Sequence, residues 1–288
     1  MSCLAWNFRG MASPRAIRFL KEMVKHKNQA MLFLCETLVT PVRIGALKSA
    51  LKFESMFCVD SVGRKGGLAM FWKGDMNVVI NGASNNYIDA EVVEADGRRR
   101  KVTRFYGCPE RSRRRESWKI IRRLNAENNV PWCILGDFKD MLDNEEKRGG
   151  EPQLNWLLTG FRLVIIDCGL VDIGAKCYQY TWSRGRGDGG RVEERLDRAF
   201  CSETWLQLFP ESVMWNLEST SSDHLPVLIS RRDDDNVVYD RSFKFNNVWV
   251  EKNGCKEVVK EVWGAERGRD IVEKLKCSKV ALEAWGKS

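Results

Sequence analysis

Ser219-Thr220-Ser221-Ser222-Asp223-His224-Leu225-Pro226-Val227-Leu228-Ile229 joins a polar run to a buried-strand pattern, and the join carries one of only two histidines in 288 residues. A histidine beside a carboxylate at the mouth of a strand can hydrogen-bond or protonate a reacting oxygen near neutral pH. Alone, Ser222-Asp223-His224 is an ordinary polar loop. Its meaning depends on how the other strands of the chain end.

They end in the same way. Cys3-Leu4-Ala5-Trp6 is a short apolar strand that delivers Asn7 before the turn residues Arg9-Gly10. Met31-Leu32-Phe33-Leu34-Cys35 is a continuous apolar run, the pattern of a fully buried strand, and it ends in Glu36. Trp132-Cys133-Ile134-Leu135 ends in Gly136-Asp137, and Arg195-Leu196-Asp197-Arg198 sets an acid within an apolar-flanked segment. Glu36, Asp137, Asp197 and Asp223, with Asn7 and His224, form an oxygen-rich set suited to a hard divalent cation such as Mg²⁺. Magnesium needs only one or two protein carboxylates, which leaves the other acids to orient a water or the histidine.

Working outward, strands and helices alternate. Ser13 as N-cap and Pro14 at the first helical position open a helix to about Lys27, with Ile17, Leu20, Met23 and Val24 on one face. Leu68–Trp72, Asn77–Ile80, Ile88–Val93 and Lys101–Tyr106 read as consecutive strands, with a hairpin turn at Asp96-Gly97. Further helices are expected over Glu116–Asn128 and within Glu151–Leu163. The pattern predicts an α/β fold of two packed β-sheets flanked by helices. The alternation stops beyond Ile229. Arg231-Arg232-Asp233-Asp234-Asp235 reads as a charged linker, and Ile271, Leu275, Leu282 and Trp285 give an apolar stripe on a final helix. The expected organisation is one domain over 1–231 and a charged linker with a helical extension over 232–288.

The ordered motifs W-N-x-R-G, F-L-x-E-T, G-G-L-A, F-Y-G-x-P-E, G-D-F, Y-T-W-S, R-L-D-R and S-D-H resemble the endonuclease/exonuclease/phosphatase superfamily, which includes DNase I, exonuclease III and the abasic-site endonucleases. Trp6-Asn7, Cys35-Glu36-Thr37, Gly66-Gly67-Leu68-Ala69, Phe105-Tyr106-Gly107, Glu145–Gly150 and Glu194–Arg198 are similar to the endonuclease domain of plant LINE-type (non-LTR) retrotransposons. The resemblance covers about Ser2 to Ser230. It implies a four-layer α/β sandwich and a Mg²⁺-dependent phosphodiesterase, with Mn²⁺ as an alternative cation, cutting the DNA backbone. It further implies that Glu36 holds the metal with Asn7 beside it and Asp223 near enough to contribute. Asp137 orients or deprotonates the attacking water, His224 contacts the scissile phosphate, and Asp197 fixes the histidine's tautomer. Tyr106, Thr181 and Ser222 are implied to hydrogen-bond phosphate oxygens. In the retroelement family the final segment leads into a reverse transcriptase, and no such polymerase motif follows here, so the chain is expected to be a truncated or domesticated piece of a larger reading frame.

The match breaks at Gly136-Asp137-Phe138-Lys139, where the family pattern G-D-x-N expects asparagine. Asparagine offers a neutral amide that donates and accepts; lysine offers only donors and a full charge. The ammonium either swings away or clamps a phosphate oxygen, which favours a weakened nuclease. Two rival readings stand beside it. One, motivated by Lys139 and the missing polymerase, is a catalytically inactive nucleic-acid-binding remnant; the other, motivated by the other substrates that the superfamily's site is known to serve, is a phosphatase on small phosphorylated lipids or inositols.

Composition agrees with a polyanionic partner: 47 Lys+Arg against 39 Asp+Glu give a formal charge of +8. The clusters Arg98–Lys101 and Arg111–Arg115, with Arg113 and Arg114 foremost, are candidate phosphate-tracking flanks. Arg184, Arg186 and Arg191, in and beside the glycine-rich 185–190 loop, form a candidate finger into a groove. His26, at the end of the first helix, reads as structural. Ten scattered cysteines without a C-x-x-C pair favour reduced thiols. There is no signal-peptide core and no uninterrupted apolar run of membrane-spanning length. An intracellular location, nuclear or cytoplasmic, with no membrane partner is expected.

Overall fold

A computed structural model describes residues 2–9, 13–62, 65–127, 130–185, 190–219, 222–231, 254–265 and 271–285. Two compact units divide the chain, Met1–Asn236 and Val237–Ser288. In chain order the strands are β1 Cys3–Asn7, β2 Met31–Cys35, β3 Ser55–Val62, β4 Lys65–Trp72, β5 Asn77–Ser84, β6 Tyr87–Val93, β7 Arg99–Tyr106, β8 Trp132–Asp137, β9 Lys147–Arg148, β10 Leu170–Asp172, β11 Ala175–Lys176, β12 Trp182–Arg184, β13 Val192–Glu194, β14 Asp197–Ser202, β15 Ser212–Asn216 and β16 Val227–Arg231. The helices are α1 Pro14–Lys27, α2 Pro41–Ala50, α3 Arg114–Ala126, α4 Asn155–Asp167, α5 Glu203–Leu208, α6 Cys255–Ala265 and α7 Ile271–Trp285.

The first unit holds a seven-stranded sheet, β11-β15-β16-β1-β2-β4-β3, and a six-stranded sheet, β10-β14-β8-β7-β6-β5. A small three-stranded sheet, β12-β13-β9, stands beside them. Side chains alternate faces along a strand, and that alternation sorts the apolar residues into three layers of contact. Cys3, Ala5, Met31, Phe33 and Cys35 pack against Ile88, Ala90, Val102, Cys133, Leu135, Ala199 and Cys201 between the sheets. Leu4, Trp6, Leu32 and Leu34 face the other way, onto Leu20 of α1 and Ile44 of α2. Phe105, Trp132, Ile134 and Phe200 likewise face Trp118 and Ile121 of α3 and Phe161 of α4. Helices, sheet, sheet and helices therefore form the four-layer α/β sandwich that the pattern and the resemblance implied. Fully apolar strands are what a sheet covered on both faces requires.

Boundaries shifted where local chemistry was misread. The helix expected within Glu151–Leu163 does start there, at Asn155, but runs on to Asp167. The β5–β6 pairing carries a register shift between Ile80 and Gly82, which lets β5 run on to Ser84. At Asp96-Gly97 the expected turn forms, with Gly97 at φ 84°.

In the second unit, α6 and α7 are tied by a Trp263 Nε1–H to Ser278 Oγ bond of 2.9 Å. The single stripe expected on the last helix does not hold: Leu282 is buried, whereas Leu275 is 57% exposed. Arg231 ends β16, and the rest of the expected linker, 232–235, lies outside the described residues. Among the described residues no helix is long and apolar enough to cross a membrane, and every cysteine there is free.

Candidate active site

The strand period that builds the core also places the site. Ala5, Leu135 and Ala199 face the space between the sheets; two residues on, Asn7 and Asp137 face the same way, as does Asp197 two residues before Ala199. Parallel β1 and β2 put Asn7 opposite Cys35, next to Glu36. Parallel β7 and β8 put Tyr106 opposite Asp137, and antiparallel β14 brings Asp197 opposite the same aspartate. His224 enters just before β16 and is fixed by an isolated bridge to Trp182. One edge of the sandwich therefore collects Asn7, Glu36, Tyr106, Asp137, Asp197 and His224. Gly136 is required there: at φ 150° a Cβ would lie 1.9 Å from the Phe105 carbonyl oxygen.

The imidazole side is closed and well supported. His224 Nδ1 lies 2.7 Å from Asp197 Oδ2, and its Nε2 lies 3.6 Å from Asp137 Oδ2. The backbone on each side is pinned. Trp6 Nε1–H donates to the His224 carbonyl at 2.9 Å, and His224 N–H donates to Ser222 Oγ at 3.1 Å. Thr181 Oγ1 accepts from Leu196 N–H and Asp197 N–H at 3.0 and 2.9 Å. Burial lowers the imidazole pKa, but the charges of Asp197 and Asp137 outweigh it and the net shift is upward.

Three hydroxyls expected at phosphate oxygens have partners within the protein: Tyr106 O–H donates to Glu36, and Thr181 and Ser222 are likewise engaged. Thr181 was expected to bind a phosphate oxygen, yet it is fully buried and its oxygen serves the backbone that carries Asp197. Ser222 was given the same role, but its hydroxyl donates to the Asn7 carbonyl at 2.9 Å and ties the His224 loop to β1. Both residues position other groups.

Opposite lies a carboxylate pair with a cation in it. Asn7 Nδ2 donates to Glu36 Oε1 and Asp137 Oδ2, each at 2.9 Å, and Tyr106 O–H donates to Glu36 Oε1 at 2.8 Å. Lys139 Nζ lies 2.5 Å from Asp137 Oδ2 and 3.6 Å from Glu36 Oε1. Burial would raise the Asp137 pKa, but Lys139, His224 and the Asn7 hydrogen bond hold it at about 2. Burial likewise pulls the Lys139 ammonium down, and Asp137 and Glu36 reverse that, leaving it above its ordinary value. Burial and the same carboxylates push Tyr106 upward, so its phenol keeps the proton it donates. Asp223 sits one step aside: its Oδ2 accepts from Trp182 Nε1–H and meets Arg9 Nη1, both at 3.1 Å. Arg9 also reaches Glu36 at 3.8 Å. Asp137, Asp197 and His224 each offer a ligand atom within 4.8 Å of the other two.

These donors fit a divalent cation. Glu36 and Asp137 supply hard carboxylate oxygens, and Asn7 Oδ1 is buried with no hydrogen-bond partner, the condition of an acceptor left for a cation.

Both arginines assigned to the flank pair with carboxylates of the chain. Arg114 is buried, pairs with Asp140 at 3.1 Å, and donates to the carbonyls of Lys139 and Pro109. Arg113 is exposed but pairs with Glu116 at 2.7 Å. Arg191 pairs with Glu193 at 2.7 Å, and Arg186 lies outside the described residues. His26 is an exposed residue in the last turn of α1, 3.8 Å from Glu22. The sequence reading missed Arg9 and the buried cluster in which Arg198 and Arg195 clasp Glu146 and Asp172 at the start of β14. The arginines on either side of Leu196-Asp197 were the available sign of that cluster.

Residues 4–224 match the model of the Endonuclease/Exonuclease/phosphatase family. Among solved structures of similar fold is the endonuclease domain of TRAS1, a telomere-specific non-LTR retrotransposon. It is 16% identical, with 80% of this chain and 98% of that one covered, at a TM-score of 0.59. The AP endonuclease LMAP from Leishmania major is 15% identical over 80% and 87% of the two chains, with a TM-score of 0.63. The 3'-5' exonuclease NExo from Neisseria meningitidis is 17% identical over 80% and 99%, with a TM-score of 0.60. No curated protein matches this sequence.

Proposed function

The chain belongs to the Endonuclease/Exonuclease/phosphatase family, and on that premise we propose that it hydrolyses phosphodiester bonds of DNA with the help of a divalent cation, Mg²⁺ or Mn²⁺. The observation that carries this reading is the Asp197–His224–Asp137 cluster set beside Glu36 and Asn7. Asp197 holds the Nδ1 face, so Nε2 is the nitrogen free to meet a substrate oxygen. With its pKa raised, His224 carries a proton over a wider range of pH and can donate it to a phosphate oxygen as charge develops there. Asp137, ionised far below neutrality, is a weak base. Its role is to align the attacking water, with proton removal a minor contribution. Tyr106 keeps its proton and steadies Glu36. A cation held by Glu36 and the Asn7 amide oxygen would supply Lewis-acid stabilisation of the phosphate. DNA as the substrate is supported by the formal charge of +8 and by the DNA-processing activities for which the proteins of similar fold are named.

A second reading, nucleic-acid binding without turnover, is favoured by Lys139 alone. Nicking of supercoiled plasmid separates the two. The purified chain is expected to nick in Mg²⁺ or Mn²⁺, to stop in EDTA, and to lose the activity with His224→Ala. Binding without nicking at any metal concentration, in wild type and in every Lys139 variant, would establish the second reading instead.

A further inference from the structure

Lys139 is held where it is by more than its charge. Its backbone adopts φ 61°, a left-handed conformation uncommon for lysine and better suited to asparagine. Its N–H donates to Asp137 Oδ1 at 3.2 Å, and its carbonyl accepts from the buried Arg114 guanidinium. Both ends of the residue are fixed before the side chain makes any contact.

The side chain is also enclosed. It is 13% exposed, it passes over the Tyr106 ring with Nζ 5.3 Å from the centroid, and it ends between Asp137 and Glu36. Arg9, the other cation on Glu36, has a side chain 64% exposed and can swing into water at little cost. Lys139 cannot leave without taking the nearest cation away from Asp137, which is fully buried. A divalent ion seeks the same oxygens, and the two positive charges cannot share them at contact distance.

We infer that Lys139 is a resident cation of the site, which holds the Glu36–Asp137 oxygens against a divalent metal ion and so sets the metal concentration at which the site loads. The inference rests on the proposed assignment of Glu36 as a metal-holding residue, and it concerns loading, which can be measured without substrate. Lys139→Asn removes the charge, suits the left-handed backbone and leaves a neutral amide; Lys139→Arg keeps the charge.

The test is a titration of the full chain with Mn²⁺, reading free Mn²⁺ by electron paramagnetic resonance and thermal unfolding in parallel. Lys139→Asn is expected to lower the Mn²⁺ dissociation constant at least tenfold, Lys139→Arg to leave it near wild type, and Glu36→Gln added to Lys139→Asn to abolish the gain. If circular dichroism shows that Lys139→Asn fails to fold, Lys139→Gln takes its place. Equal Mn²⁺ affinities in wild type and the neutral variant would overturn the inference. A gain in Mn²⁺ affinity without nicking would support it while counting against the hydrolase reading, so the two fail separately.

Discussion

The imidazole side and the carboxylate–lysine side of the site are built by the same device and arrive at different chemistry. On both, apolar strands alternate their side chains and deliver a polar residue into the gap between the sheets. On the first, every donor and acceptor serves one geometry: Asp197 meets Nδ1, and Thr181 and Ser222 hold the backbone. On the second, Glu36 and Asp137 converge equally well, but the cation between them is a lysine side chain carried by the chain itself. The fold decides where charges meet. A single side chain on the loop after β8 decides which cation they meet.

The widest gap between the two sides should appear on removing the imidazole. His224→Ala is expected to cut plasmid nicking by roughly 10²–10⁴-fold; the circular dichroism spectrum should stay that of a folded chain, while the unfolding midpoint falls because the buried Asp197 carboxylate loses its partner. A smaller but clear loss is expected for Asp197→Asn, which keeps the shape and removes the charge behind Nδ1. Its diagnostic is the imidazole itself. Followed by NMR, His224 in wild type should titrate above its ordinary value, and in Asp197→Asn the midpoint should fall. The sign for stability follows: a histidine whose folded pKa is raised stabilises most below its unfolded value, and that stabilisation is lost as pH rises through the folded value. The stability difference between wild type and Asp197→Asn should therefore shrink on going from mildly acidic to alkaline pH. An unchanged imidazole midpoint would mean that Asp197 does not govern it.

On the other side the effect should be a gain. Lys139→Asn is expected to raise nicking at low millimolar Mg²⁺ by about tenfold, in proportion to tighter loading of the cation. A rate that stays flat while Mn²⁺ affinity rises would show that loading does not limit turnover. The smallest effect belongs to a residue that touches neither reacting group. Thr181→Val removes one oxygen and leaves two buried backbone N–H groups unpaired, at a cost to stability of about 1–3 kcal/mol. It should lower the denaturant midpoint and disturb activity only through Asp197.

Much of this was legible in the sequence because burial on both faces forces strands to be apolar and short, and such strands advertise their ends. Asn7, Glu36, Asp137, Asp197 and His224 could thus be grouped before any coordinates, and the structure does bring them to one edge. Thr181, Ser222 and Arg114 have protein partners that the sequence did not announce, for a common reason: a hydroxyl or guanidinium looks the same in sequence whether it meets a ligand or a buried backbone. Their partners are distant in sequence, the Asp197 backbone for Thr181, the Asn7 carbonyl for Ser222 and Asp140 for Arg114, contacts that no local pattern records. Helix α2 and strand β3 went unread because Gly45 and the polar Ser55, Asp60 and Ser61 blur their periods. The lysine at 139 was visible as a departure from the family, but its direction was not. Only the left-handed backbone and the ring of Tyr106 show that it turns inward.

Crystals of wild type and Lys139→Asn soaked in the same Mn²⁺ solution, compared by anomalous scattering, would test this division most directly. A strong manganese peak against the Glu36–Asp137 oxygens is expected in Lys139→Asn, a weak or absent one in wild type, and an unmoved His224–Asp197 pair in both. Equal peaks in the two proteins, with the Lys139 ammonium displaced into solvent in wild type, would contradict it.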